Sequence, residues 1–317
     1  MRRLLVVAAV LLGIPSPALA SQLVDRNATN VRLATNAKGE ALLTYDKGAQ
    51  VRHVLVWGAV NAAKPTPGGH QVQFHFDYSG GYGKYHKVYW KTFGSSCGHY
   101  DGPPLTNVVA ACKAADGTYW AAQSWPEPLP DLGYTPWTPE LRAQWLEVSH
   151  WSGPLATFET GTTWVYSGRF QLVFGRVTYD GGPVYGFGTT RVGAPTDAFG
   201  RLVFLDTHDS VYGSGWRREN SFVPHNPTGV FCYGFFTFDP TKGGYQHPPG
   251  QTTSRGPGTG DDYRLTMPGP GVTPNVSTTV PGLHPYNQLN LDDLSYAKSE
   301  ADKLRSWGDK SCLAGLP

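Results

Sequence analysis

Residues 30–57, NVRLATNAKGEALLTYDKGAQVRHVLVW, decide the reading of the fold. Short runs of alternating apolar and polar residues are separated twice by a Lys-Gly pair, Lys38-Gly39 and Lys47-Gly48. Glycine supplies the positive φ that tight hairpins need, so the stretch predicts a three-strand antiparallel meander. Alternation in the third strand puts Val51, His53, Leu55 and Trp57 on one face, and Arg52, Val54 and Val56 on the other.

The same grammar continues along the chain. QVQFHFDY (71–78), HKVYWKTF (86–93), NVVAACK (107–113), GTYWAAQSW (117–125) and QWLEVSHW (144–151) all read as strands. RFQLVFGRVTY (169–179) turns at Asp180-Gly181-Gly182 into PVYGFGTT, and RLVFLDT (201–207) and GVFCYGFFTF (229–238) follow. Composition agrees: 39 glycines, 26 prolines and 13% aromatic residues stand against 16% charged ones. The predicted fold is mainly β, with antiparallel sandwich or barrel-like sheets in one large or two abutting β segments and a C-terminal α-helix. The meander resembles in spacing one blade of a β-propeller, but no second copy recurs at a fixed period, so a propeller is not supported.

The helix is expected at LNLDDLSYAKSEADKLRSWG (289–308), where Leu291, Leu294, Ala297, Ala301, Leu304 and Trp307 recur at helical spacing. Asp292 and Asp293 fall in its first turn, Lys303 and Arg305 in its last, and Gly308 just beyond, all arrangements that suit the helix dipole and its termination. A further helical turn is suggested by TPELRAQ (138–144), with Pro139 at a first-turn position.

The chain divides into an N-terminal β segment (21–125), a proline-rich crossing (126–139), a second β segment (140–238), a Pro/Gly-rich exposed loop (239–285), and a C-terminal helix with its tail (286–317). Residues 1–20 read as a cleavable signal peptide: Arg2 and Arg3 precede an apolar run from Leu4 to Ile14, and Ala18-Leu19-Ala20 supplies the small residues of a cleavage site. The run is about half the roughly 20 residues needed to cross a bilayer. A soluble, secreted or extracytoplasmic chain starting near Ser21 is expected, without membrane insertion.

Removing the leader takes away Arg2 and Arg3, so 26 basic and 24 acidic residues become 24 and 24. A neutral chain lacks the basic excess that phosphate binding requires, which argues against a nucleic-acid partner. In an oxidising compartment four cysteines predict two disulfides, Cys97 with Cys112 and Cys232 with Cys312. None has the C-x-x-C spacing of a structural zinc site, and no metal or cofactor is expected. Asn27 and Asn275 lie in N-x-[ST] sequons, which matter only in a glycosylating host.

The sequence has no H-E-x-x-H, P-loop or dinucleotide fingerprint. The densest chemistry lies in LDTHDSVYGSGWRREN (205–220). One reading makes His208 a general base oriented by Asp206, with Arg217 or Arg218 holding an anionic group and Glu219 nearby. Another makes Asp206, His208 and Asp209 ligands of a hard cation. The simpler reading is a structured turn whose arginines pair with acids. In FHFDYSGGYGKYHKVYWK (74–91), Tyr78, Tyr82, Tyr85 and Trp90 are candidates for stacking on sugar rings, against a hairpin whose aromatics fill the core. His99 and Asp101, inside the small disulfide loop, read as a pinned turn, and Ser149 and His150 as strand neighbours on opposite faces rather than a dyad. Two functions follow as expectations: a non-catalytic extracellular binding or structural protein, with carbohydrate as one ligand class, or a secreted hydrolase built around Asp206, His208 and Arg217.

Overall fold

A computed structural model describes residues 21–60, 74–127, 138–139, 143–184, 186–189, 195–197, 203–210, 213–220, 223, 225–236, 245–246, 254–255, 260–270 and 273–316. In chain order the strands are β1 Gln22–Arg26, β2 Thr29–Thr35, β3 Glu40–Lys47, β4 Gln50–Gly58, β5 Phe74–Asp77, β6 Val108–Lys113, β7 Tyr119–Pro126, β8 Thr138–Pro139, β9 Gln144–Trp151, β10 Thr157–Val165 and β11 Phe170–Tyr179. They continue as β12 Gly182–Pro183, β13 Gly186–Thr189, β14 Pro195–Asp197, β15 Phe204–Ser210, β16 Gly213–Asn220, β17 Val230–Phe236, β18 Tyr245–Gln246, β19 Ser254–Arg255, β20 Asp262–Met267 and β21 Val276–Pro281. Two α-helices, α1 Tyr82–Tyr85 and α2 Leu291–Ser306, complete them.

The strands form four main antiparallel sheets, so the mainly β reading with one long C-terminal helix holds. Sheet 1 has the order β1-β9-β7-β6 and sheet 2 the order β2-β3-β4-β5. Between them lies a core that includes Val24, Val54, Val56, Trp120, Leu146 and Trp151. Sheet 3 is β10-β11-β12 with β17 on the other edge of β11, and sheet 4 is β21-β20-β15-β16-β8. Val173, Val177, Leu205, Phe231, Tyr263 and Leu265 fill the second core. Each fully buried side chain of this size contributes about 1.5–3 kcal/mol.

β11 is covered on both faces. Val173 and Val177 join the second core, while Leu172 and Phe174 meet Leu304 and Cys312 in a third. That double burial explains the continuous apolar run Leu172-Val173-Phe174 at its centre. Helix α2 is capped by the Asn290 side chain, which accepts from Asp292 N, and it buries Ala297, Ala301 and Leu304. Leu291 and Leu294, expected on the packed stripe, are exposed at the helix start.

The Lys-Gly turns behave as read: Gly39 and Gly48 have φ of 70° and 59°. Asp180 and Gly181, at 49° and 72°, close the β11–β12 hairpin. The two faces of β4 also divide as expected. Val54 and Val56 enter the core, while His53 stacks on Trp90 and Trp57 on His75. Cys97 is bonded to Cys112 and Cys232 to Cys312, with Cα separations of 5.5 and 5.8 Å.

Three local expectations fail. HKVYWKTF is not a strand; Tyr89–Thr92 forms a single 3-10 turn that lies over the outer face of β4. The chain reaches that position through Gly80 and Gly81, at φ of 68° and 98°, where a Cβ would come within 2.8 Å of Trp90 and Tyr89. Thr138–Pro139 is not a helix start but edge strand β8, paired with Arg217 and Arg218. An edge position suits a residue with no N–H to donate. Residues 140–142 lie outside the described ones. Finally, the Pro/Gly-rich stretch 239–285 contains β20 and β21, and β20 sits between β15 and β21 with Tyr263, Leu265 and Met267 in the core.

Candidate ligand-binding cleft

The 205–220 stretch folds as the β15–β16 hairpin. Its turn is held by the Asp209 side chain, which accepts from Gly215 N at 2.6 Å. Asp206 is almost completely buried and stands opposite Arg218 on β16 and Arg264 on β20. Arg218 donates through both Nε and Nη2, and Arg264 donates through Nη2 at 2.8 Å and Nε at 3.2 Å. Burial pushes the carboxyl of Asp206 up, and the Arg218 guanidinium opposes it. Asp206 is therefore occupied as the centre of an Arg-Asp-Arg ladder.

His208 sits two residues along the same strand, flanked by Trp216 on β16 and Asp262 on β20. Its Nδ1 is 2.8 Å from Asp261 Oδ1, so Asp261 rather than Asp206 orients it. Arg217, which neighbours Arg218 on the strand, faces away from Asp206, and its Nε has no hydrogen-bond partner among the described residues. The side chain of Glu219 lies outside the described ones. The proposed grouping of Asp206, His208 and Arg217 does not assemble. The cation reading changes too: Asp206 is taken by the arginines, Asp209 stays 3.7 Å from His208, and the group whose ligand atoms lie within 4.8 Å of one another is His208, Asp261 and Asp262. Such exposed acid and imidazole groups also associate without any ion.

The hydrogen bond with Asp261 raises the proton affinity of His208, and the charges of Asp209 and Asp262 add to it. A raised value in the folded state means that protonated His208 favours folding below its ordinary 6.5 and that the benefit is lost as pH rises through the folded value. An NMR titration of the His208 ring is expected to give a midpoint above 6.5, falling back in Asp261→Asn. An unchanged midpoint in that variant would remove the pairing.

The aromatic segment splits between surface and structure. Tyr78 and Tyr82 are 58% and 55% exposed. Tyr85 and Trp90 are half-buried, with Tyr85 stacked on Tyr89 at 4.1 Å and Trp90 on His53 at 3.9 Å. Tyr85 and Tyr89 share an anchor in Glu40, which is buried and accepts from Lys84 Nζ at 2.8 Å, Tyr85 OH at 2.5 Å, Tyr89 OH at 3.1 Å and Asn36 Nδ2 at 2.8 Å. Burial raises its carboxyl, but these donors outweigh burial and hold it below the ordinary value. Lys84 also lies 4.0 Å from the Trp57 ring centre, a cation over an aromatic face. In the small disulfide loop His99 is exposed, while Asp101 pairs with Lys113 and accepts from the Tyr119 hydroxyl, a pinned surface turn.

The concave site lies elsewhere. A cleft of about 520 Å³ opens where the β10–β11 hairpin meets residues 260–261 and 283–286. Trp164, Tyr286 and His284 form its aromatic lining, and Arg169, Gln171 and Asp261 its polar lining. Trp164 Nε1 donates to His284 O at 2.9 Å, and Gln171 Nε2 donates to Leu283 O at 2.7 Å, so the wall carrying Tyr286 is fixed to the hairpin. Tyr263 OH donates to Gln171 Oε1 at 2.7 Å and locks that amide. His284 Nε2 lies 2.9 Å from Asp293 in the first turn of α2. Tyr286 approaches so closely that a Cβ on Gly168 would meet its ring at 2.4 Å. Its ring centre is 5.3 Å from that of Trp164, at 51°. Asp261 belongs to both features, lining the cleft and holding His208.

These lining residues come from two separate stretches, 164–171 and 260–286, that no local sequence pattern joins. The one local signal was HPY (284–286) just before the Asn290 cap. Compared with protein-family models, with curated proteins and with solved structures, the chain matches none.

Proposed function

We propose that the chain is an exported, non-catalytic binding protein, and that the cleft between Trp164 and Tyr286 takes a small polyhydroxylated ligand, with carbohydrate as the class. The observation that carries this reading is a fixed aromatic wall beside convergent polar groups. Flat rings suit the apolar face of a sugar, while Arg169, Asp261 and His284 offer donors and acceptors to its hydroxyls. Of the described lining residues Asp261 alone carries a carboxylate, whereas glycoside hydrolysis ordinarily uses a facing pair. A hydrolase around Asp206, His208 and Arg217 draws no support, since Asp206 is taken by Arg218 and Arg264, His208 by Asp261, and Arg217 stands on the other face of its strand. Export is supported by the leader-like residues 1–20 and by two disulfides, which persist in oxidising surroundings. No helix among the described residues is long and apolar enough to cross a membrane.

The test is a glycan array followed by calorimetric titration of each hit on the disulfide-bonded chain. Tyr286→Ala is expected to weaken binding about tenfold, on the order of 1.4 kcal/mol. Tyr82→Ala, on the exposed patch away from the cleft, should leave it unchanged. An array without hits ends the carbohydrate reading, and a loss that follows Tyr82 rather than Tyr286 moves the site to the 78–82 surface.

A further inference from the structure

Ser21 is 2% exposed, although it is the first residue expected after the leader. Its Oγ donates to Glu147 Oε2 at 2.5 Å, and that hydroxyl also lies 2.9 Å from Asn275 Oδ1. Asn275 Nδ2 also donates to Glu147 Oε2 at 2.5 Å, and its backbone N–H donates to Gln123 Oε1 at 2.9 Å. Glu147 lies in the middle of β9, opposite Leu23 on β1 and Gln123 on β7, and is 7% exposed. The side chains that face it, from Ser21, Gln123 and Asn275, are all neutral. Among the described residues no lysine, arginine or histidine contributes to its electrostatics. An ionised carboxylate buried without a cation costs several kcal/mol.

One cation source lies within reach. The Ser21 nitrogen is joined to Oγ through Cα and Cβ, which places it about 3 Å from that oxygen. It is therefore within roughly 6 Å of the Glu147 carboxylate. We propose that cleavage of the Ala20–Ser21 peptide bond creates the counter-ion of Glu147, the new α-ammonium of Ser21, and so couples processing to the stability of the fold. Water adds across the bond under the action of an export peptidase. Ala20 keeps the carboxylate and Ser21 the amine, which takes up a proton at neutral pH, since free α-amines titrate near 7.7–8.0. The inference rests on the export reading above.

While the nitrogen remains an amide, burial pushes Glu147 up to about 7 from its ordinary 4.5. Its contribution to stability is then full below 4.5 and lost as pH rises towards 7. With the amine free, that loss is expected to vanish until the amine itself deprotonates.

A two-by-two comparison tests this. The chain beginning at a free Ser21 is set beside the same chain with a Gly-Gly extension, each with Glu147 or with Glu147→Gln, by urea unfolding at pH 7 with the disulfides intact. The extension is expected to reduce the folding equilibrium constant tenfold or more in the Glu147 chain and less than twofold in Glu147→Gln. An equal loss in both, or none in either, overturns the ion pair. Ser21→Ala, which keeps the amine and drops the hydroxyl, serves if Glu147→Gln fails to fold. It should retain the tenfold response, and losing it overturns the pair. The 13C signal of the Glu147 carboxyl gives a second readout, expected to titrate lower with the amine free than with it extended; the same midpoint in both also overturns the pair. Intact mass of the exported product separates the two readings: a product retaining residues 1–20 sinks export, whereas a product starting at Ser21 with additive losses sinks only the pair.

Discussion

Asp206→Ala is expected to destabilise the fold by about 3–5 kcal/mol, the usual cost of removing one member of a buried ion cluster. The Asp206 side chain is 1% exposed, that of Arg218 6% and that of Arg264 24%. Alanine would take the carboxylate from between the two strands that flank β15, removing the anion that the enclosed Arg218 guanidinium binds and one partner of the part-exposed Arg264. Each also lies over an aromatic ring, Arg218 over Phe204 and Arg264 over Trp216, so neither can swing to solvent without uncovering apolar surface. Urea unfolding with the linear slope held in common measures the change. Replacing all three together by Leu, Met and Leu should recover most of the loss, because the penalty lies in the unpaired charges rather than in the missing attraction. A loss under about 1 kcal/mol for Asp206→Ala would show that water reaches the arginines.

Opening the Cys232–Cys312 bridge by paired serine substitution is the second large effect. The bridge spans 80 residues, and a loop of that length carries about 4 kcal/mol of closure entropy in the unfolded chain. It also ties the tail that follows α2 to β17, where Leu304 and Cys312 pack on Leu172 and Phe174. The expected result is a fall of about 4 kcal/mol, with detachment of α2 preceding the main transition and Trp307 fluorescence reporting it first. The Cys97–Cys112 bridge, across 15 residues, should cost about 3 kcal/mol and leave α2 in place. Equal behaviour of the two variants by Trp307 fluorescence would contradict the assignment of the long bridge to the helix.

Local grammar was readable wherever neighbours in sequence are neighbours in space. The Lys-Gly turns, the Asp180-Gly181 hairpin and the dipole residues and terminating Gly308 of α2 each depend on a few consecutive residues. Reading failed where composition overruled period. Tyr263, Leu265 and Met267 alternate as a core strand should, but they stand among prolines and glycines that suggested a loop. The aromatic run at 86–93 has strong strand propensity, and it was diverted by two glycines into a cap over β4. Chemistry was least visible. Asp206 reads in the sequence as orienting His208 or holding a cation; it instead binds Arg218 on the next strand and Arg264, which lies 58 residues away. Similarly, the cleft gathers Trp164 and Tyr286 from strand and loop ends that no local pattern joins.

Asn275 is 5% exposed, and its amide is committed on both sides, to Glu147 and to Gly269 N at 3.2 Å. A production host that attaches oligosaccharides to nascent polypeptides would meet the Asn275-Val276-Ser277 acceptor before that knot closes. The sugar would then occupy space that the native state gives to a sheet junction, trapping the molecule for degradation. Secretion through a route without oligosaccharyl transfer sidesteps this hazard, and Asn27, exposed on its own turn, poses none.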